Sequence, residues 1–395
     1  MQALPGTADV VVIGAGAIGC SVAYHLAEMH VADVVVLEQH TIGSGTTSKA
    51  AGGIRAQFGT PTEIIFSLEA LDFFRSCKQR LGVDAEFRQI GYLTLISSED
   101  DLRLFEQRVA LQRRYGVDVS VIGADDARHL VPALRTDDLI AAVHCPTDGY
   151  AGPSEVTMGF VARARERGVR FLEGVTTSGV RRAGGRVTGV ETSAGFIAAP
   201  VVVNAAGPAA ARVGRMVDAD LKVLPRRRHI FVTEDFPRLP GPVPLTQDRS
   251  SGFYFRKELE RVLMSPGDVE DIHSDGEVPV DWTRLEETVD KAIKRVPLLA
   301  EARITSGWAG LRPLTPDEHA LIGELPDVPG FFVAVGFCGH GFQHAPPAGK
   351  HLAELIVQGR SSVDLALFDP MRSFQGGPER QQPGAAEVKG ANGPR

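Results

Sequence analysis

The stretch DVVVIGAGAIGCSVAYHLAEM, residues 9–29, decides the fold. Its residues 10–13 form an unbroken apolar run that stops at a glycine, the pattern of a strand covered on both faces. Beyond the glycines, Ile18, Val22 and Leu26 recur at helical spacing. A second apolar run, VVVLE at 34–38, follows closely, so strand, helix and strand make one βαβ unit.

Gly14, Gly16 and Gly19 lie at G-x-G-x-x-G spacing. The first permits a tight turn, the second lets the backbone approach a pyrophosphate, and the third packs the helix on the strand. Glu38 closes the second strand, where a carboxylate accepts bonds from ribose hydroxyls and disfavours a 2′-phosphate. A glycine-rich turn alone is weak evidence. Flanked by these elements and the terminal acid, it reads as a dinucleotide site.

Working outward, residues 63–81 and 99–115 read as amphipathic helices with the strand GYLTLIS between them. A helix over 156–168 leads into VRFLEG, then a small meander returns to the buried strand VVVNAAG at 201–207. Residues 221–305 are more polar and strand-rich, and FFVAVG at 331–336 precedes a helix expected to begin at Pro346 or Pro347. The expected fold class is α/β. A discontinuous Rossmann-type domain comes from 8–80, 141–220 and 306–370, and a second α+β domain on a mostly antiparallel sheet from 81–140 and 221–305. The tail, 371–395, is rich in Gly, Pro and polar residues and reads as disordered.

With 395 residues, 43% of them hydrophobic, the chain can bury a substantial core. A net charge of −7 gives no electrostatic reason for a nucleic-acid or anionic-membrane partner. The run Arg226, Arg227, Arg228 reads as a solvated strand edge. Cys20, Cys77, Cys145 and Cys338 are far apart and form no CxxC pair, so neither a metal site nor a disulfide framework is expected. No apolar run reaches the roughly 18 residues of a membrane span, and MQALPGTAD lacks the regions of a signal peptide, so a cytoplasmic location is expected.

Three further stretches carry chemistry. GSGTTSKAAGGIRAQFG, 43–59, offers backbone N–H groups and hydroxyls suited to phosphate oxygens or a flat ring. GFCGHGFQHAPPAGK, 336–350, surrounds His340 with glycines that allow close approach to a planar ligand, next to a helix N-terminus suited to an anion. WAGLRPLTPDE, 308–318, sets Arg312 in a Gly-Leu-Arg-Pro turn among apolar residues, where a guanidinium needs an anionic partner. That partner is either a ligand or a structural acid, Asp317 or Glu318.

In this order, these motifs resemble those of the D-amino acid oxidase superfamily of FAD enzymes, over about residues 8–370. The branch in view holds sarcosine oxidase β-subunits, sarcosine dehydrogenase, glycine oxidase and archaeal L-proline dehydrogenase β-subunits. The resemblance implies FAD held by Gly14, Gly16, Ala17, Ile18, Gly19, Glu38 and Gln39 at the nucleotide end. Ser44, Gly45, Thr46, Thr47, Gly52, Gly53 and Ile54 would follow, with Val175 at the adenine and Ala206, Gly207 rejoining the cofactor. Gly310 and Gly339, His340, Gly341, Phe342, Gln343 would meet the flavin ring.

The resemblance further implies that Arg312 pairs with a substrate carboxylate, with Arg55 sharing that work and His340 and Tyr254 nearby. Covalent attachment is not expected, because Lys49 stands where some relatives have the linking histidine and Gly310 where others have a cysteine. Gln343 replaces a carboxylate-binding lysine of monomeric sarcosine oxidase. No lysine matches the one that promotes reaction with oxygen, although Lys257 is near. The implied activity is oxidation of the C–N bond of a small amino acid or N-alkyl amino acid of the sarcosine, proline, glycine or D-amino acid type, by hydride transfer to flavin N5 and imine hydrolysis. A flavin-binding subunit or assembly factor of a larger complex is the alternative, and a partner subunit or separate electron acceptor stays open.

Overall fold

The computed structural model describes residues 4–267, 270–272 and 274–374. Its first sheet runs in the order Leu321–Glu324, Phe331–Val335, Val201–Asn204, Val10–Ile13, Val34–Glu38, Arg170–Glu173. All neighbours are parallel except the first pair, an antiparallel hairpin. The central strand is buried on both faces, as its apolar run requires. Val10 and Val12 face the helices, while Val11 and Ile13 pack toward the meander of Thr177–Ala183, Arg186–Thr192 and Gly195–Ala198. The helix Ala17–Glu28 lies against Pro153–Glu166 and Gly341–Gln358.

Gly14 and Gly19 are fixed by sterics. Gly14 has φ +103°, and a Cβ there would lie 2.6 Å from the Ala205 carbonyl oxygen. A Cβ on Gly19 would come within 1.9 Å of the Gly14 oxygen, so the helix could not seat against the turn.

The second sheet has nine strands among the described residues and is antiparallel apart from Leu245–Asp248 beside Tyr92–Ile96. Two of its strands, Ala141–Cys145 and Ile304–Leu314, contain residues that the sequence assigned to the nucleotide unit, so those boundaries shift at the level of sheet membership. Gly-Leu-Arg-Pro is therefore strand rather than turn. Pro313 stands opposite Pro225 in the ladder, where neither residue has an N–H to donate.

Three further expectations change. The helix read over 63–81 breaks at Ser76 into Pro61–Arg75 and Cys77–Leu81. The last long helix begins at Gly341 and carries Pro346 and Pro347 inside it, so its N-terminus sits directly at the glycine-rich loop. Arg226–Arg228 lie within Leu224–Thr233, which has Ile304–Leu314 on one side and Arg261–Ser265 and Glu270–Asp271 on the other, not on a solvated edge. Of the expected disordered tail, residues 375–395 fall outside the described residues. Arg372, within its start, is docked by paired bonds of 2.7 and 2.8 Å to Asp317. No described helix is long and apolar enough to cross a membrane, and the four cysteines are free and buried.

Candidate active site

One cavity of about 1150 Å³ runs from the Gly14 turn to the inner face of the second sheet. At the nucleotide end Glu38 is aimed by two backbone amides: Ala15 N–H donates to Oε2 at 3.0 Å and His40 N–H to Oε1 at 2.9 Å. The buried Thr47 hydroxyl accepts from Ala17 N–H at 3.0 Å, so the 43–49 loop folds over the start of the first helix. A Cβ on Gly16 would sit 3.3 Å from that hydroxyl, tightening the passage. The N-termini of Ala17–Glu28 and of Gly341–Gln358 both open onto the cavity, two partial positive charges suited to an extended anionic ligand.

Cross-strand register puts Tyr92 opposite Leu245, Gln247 opposite Tyr254, and Arg228 opposite Gly310, and all six face the cavity. Arg312 lies on the same face two residues further along. It is half-buried and donates from Nη2 to the Cys338 carbonyl at 2.7 Å. Its guanidinium fills the space a side chain at 339 would need: a Cβ on Gly339 would be 1.8 Å from Nη2. Burial, then the field of Arg228, lowers the Arg312 pKa to about 10. The structural acids do not supply its counter-charge. Asp317 is bound to Arg372, and among the described residues no carboxylate makes an ion pair with Arg312.

Across the chamber Arg55 donates from Nη2 to His340 Nε2 at 2.9 Å and from Nη1 to the Gln57 carbonyl at 3.1 Å, with its guanidinium 4.5 Å from the Phe58 ring centre. An arginine can only donate, so His340 Nε2 accepts and its ring proton is on Nδ1. Burial, then Arg55, His344 and Arg312, hold His340 well below the usual imidazole range, so the ring is neutral at pH 7. Gln343 is almost fully buried and bonded to the Arg55 backbone, the role it takes in place of a charged lysine.

Of the positions singled out from sequence, Gly14, Gly16, Ala17, Ile18, Glu38, Gln39, Ser44, Gly45, Thr46, Thr47, Gly52, Gly53, Arg55, Val175, Ala206, Gly207, Tyr254, Gly310, Arg312 and Gly339 to Gln343 line this cavity. Gly19 and Ile54 do not: Gly19 is a packing contact, and Ile54 is fully buried. Arg256, two residues along the strand from Tyr254, does not line the cavity: it donates to the Ala51 carbonyl at 2.8 Å and stacks on Tyr150. Lys257 also turns away, bonding the Leu239 carbonyl at 2.7 Å. Sequence reading missed Tyr92, Arg228 and Gln247, whose shared face appears only once their strands pair.

These features fit FAD. The glycine cradle leaves room at the turn, Glu38 is held at the end of its strand, and the cavity is long enough to carry a dinucleotide toward the arginines. Fold and site together define a dinucleotide-dependent oxidoreductase. Residues 9–355 match the family described as DAO, FAD dependent oxidoreductase, and the chain belongs to that family, whose cofactor is FAD.

The chain is 31% identical to mitochondrial sarcosine dehydrogenase of Mus musculus over 94% of its own length and 42% of that protein. It is likewise 31% identical to the formaldehyde-forming 4-methylaminobutanoate oxidase of Paenarthrobacter nicotinovorans, over 93% of this chain and 46% of that one. The chain thus spans less than half the length of these curated relatives. Among solved structures, L-proline dehydrogenase from P. horikoshii superposes with a TM-score of 0.87 at 29% identity, covering 93% of this chain and 98% of that one.

Proposed function

We propose that this chain oxidises the C–N bond of a small amino acid or N-alkyl amino acid, with FAD held non-covalently. The observation that carries the reading is Arg312, a half-buried guanidinium facing the cavity with no carboxylate partner among the described residues. A substrate carboxylate supplies the missing charge through two parallel bonds and fixes the donor carbon in one orientation. His340 is neutral and its Nε2 is taken by Arg55, so it offers an Nδ1 proton to a ligand rather than a positive charge. Tyr254 and Tyr92 add hydroxyls from the sheet above. FAD, when bound, accepts the two electrons and two protons that the donor loses as C–N becomes C=N. Water then splits the imine into a carbonyl compound and an amine.

The test is an anaerobic titration of the purified holoprotein with sarcosine, L-proline, glycine and D-alanine, following loss of the oxidised flavin absorbance. Bleaching by one of them, with half-saturation raised about 10- to 100-fold in Arg312→Ala, is the expected result. Bound flavin that none of them reduces favours a flavin-binding subunit or assembly factor instead. Absence of flavin removes the reading altogether.

A further inference from the structure

Two guanidiniums reach the chamber without an ion pair among the described residues, and the buried Asp148, whose charge interacts with Arg55, has its own oxygens bonded by Ala56 and Gln57. Arg312 and Arg55 come from different parts of the fold yet meet the same short turn: Arg312 bonds the Cys338 carbonyl and lies over Gly339, and Arg55 bonds His340. Both line the cavity, and among the described residues neither makes an ion pair with any carboxylate. Three acids lie on the cavity wall, and among the described residues none pairs with either arginine: Glu277 is exposed, and the other two are engaged elsewhere. Glu38 accepts the Ala15 and His40 amides, and Asp275 pairs with Arg212 at 2.7 Å. Gln343 supplies no charge where the resemblance leads one to look for a lysine: its amide is neutral, and both its ends bond the Arg55 backbone.

A ligand with a single carboxylate would satisfy one guanidinium and leave the other desolvated and unpaired, which is the costly arrangement for a buried charge. We propose that the substrate is a dicarboxylate, a secondary or primary amine with one carboxylate bound by Arg312 and a second bound by Arg55. This rests on the amine-oxidising reading and narrows its substrate class. Each arginine keeps free N–H groups with which to bind a carboxylate. Arg55 uses one on Gln57 and one on His340, and Arg312 uses one on Cys338. The Phe58 ring packs against the Arg55 guanidinium, 4.5 Å from its centre, and the planar fork suits a bidentate carboxylate pair.

The experiment compares iminodiacetate with its monoamide, which has the same shape and one charge fewer, as reductants of the holoprotein under anaerobic conditions. In parallel, thiodiacetate and (methylthio)acetate, which lack the oxidisable amine, are titrated as perturbants of the flavin spectrum. The expected result is half-saturation at least tenfold lower for each dicarboxylate than for its monocarboxylate partner. Arg55→Met should shrink both ratios below threefold, and Arg55→Lys should restore part of the preference. Equal or better reduction by the monoamide overturns the dicarboxylate inference while the amine-oxidising reading stands. Tighter binding of thiodiacetate with no reduction by any donor supports the two-carboxylate site and sinks the oxidising reading. No preference in either assay overturns the inference.

Discussion

The side-chain amide of Gln343 brackets the backbone of Arg55, accepting its N–H at 3.0 Å and donating to its carbonyl at 2.6 Å. The same amide nitrogen reaches the Ser67 hydroxyl at 3.1 Å, so one buried side chain ties the last long helix to both Arg55 and the helix Pro61–Arg75. Gln343→Ala leaves an N–H and a C=O of Arg55 without partners, at a cost of about 1–3 kcal/mol for each buried polar group unmet. The expected outcome is a folded flavoprotein with a lower melting temperature. Its half-saturating donor concentration should rise several-fold while the limiting rate of flavin reduction changes less. Stopped-flow reduction with calorimetry separates the two effects.

Gly339 is coupled to Arg312 by exclusion. A Cβ at 339 would occupy the place of the Arg312 guanidinium, and the glycine φ of +90° adds strain to any replacement. Gly339→Ala should therefore mimic Arg312→Ala in donor titrations, with binding weakened by about 10- to 100-fold, the scale of a lost charge-assisted pair. Arg312→Lys keeps the charge but loses the planar fork, and should fall between wild type and Arg312→Ala. If Gly339→Ala titrates like wild type, Arg312 does not act from the position it occupies here.

How much was readable from sequence follows from how local each signal is. Val10–Ile13, Gly14 and Glu38 carry the strand, turn and acid signals of one βαβ unit, so pattern alone identified the strand and put Gly14 and Glu38 at the nucleotide end of the cavity. Arg228 was hidden in a run of three arginines. In a strand alternate residues face opposite sides, and only the partner strands decide which side is buried. Here Arg228 faces the cavity, while Arg227 bonds Glu270 and lies near Asp281. Pro313 likewise suggested a turn, because its pairing with Pro225, 88 positions earlier by subtraction of residue numbers, leaves no local trace. Pro346 and Pro347 pointed to a helix start too late, since the helix already runs from Gly341 and carries both prolines inside it, past the first four N–H groups, which need no intrahelical partner.

Stability should depend on pH through the buried pair His319 and Glu63, whose Nδ1 and Oε1 are 3.0 Å apart. Despite the opposing pull of burial, the Glu63 bond raises the His319 pKa above 6.5. That stabilisation is full below 6.5 and is lost as pH rises through the raised value. Burial opposes ionisation of Glu63 as well, yet its bonds to His319 and Thr60 bring its pKa below 4.5. That contribution is full above 4.5 and is lost as pH falls through the depressed value. The pair therefore contributes most between about pH 4.5 and 6.5. Asp148 works against this, since burial raises its pKa from 3.8 to about 6 and its contribution declines as pH rises across that range. The difference in melting temperature between wild type and Glu63→Gln cancels the Asp148 background. It should be largest inside the window and shrink on both sides, and a difference flat with pH would show that the pair is not ionised.

Arg295 is a buried charge in the support of the second sheet. It is 2% exposed and ends the helix Arg284–Arg295, donating to Asp138 at 2.7 and 3.0 Å, to Asp248 at 3.0 Å and to the Arg135 carbonyl at 2.8 Å. Asp248 is itself buried and lies next to Gln247 on the cavity wall. Arg295→Ala strands the Asp248 carboxylate, and breaking a buried pair in this way costs about 3–5 kcal/mol. Denaturant unfolding should show a loss of that size. Adding Asp248→Asn should recover part of it by removing the orphaned charge. If the double variant is no more stable than Arg295→Ala, the loss comes from the cavity left by the side chain rather than from an uncompensated carboxylate.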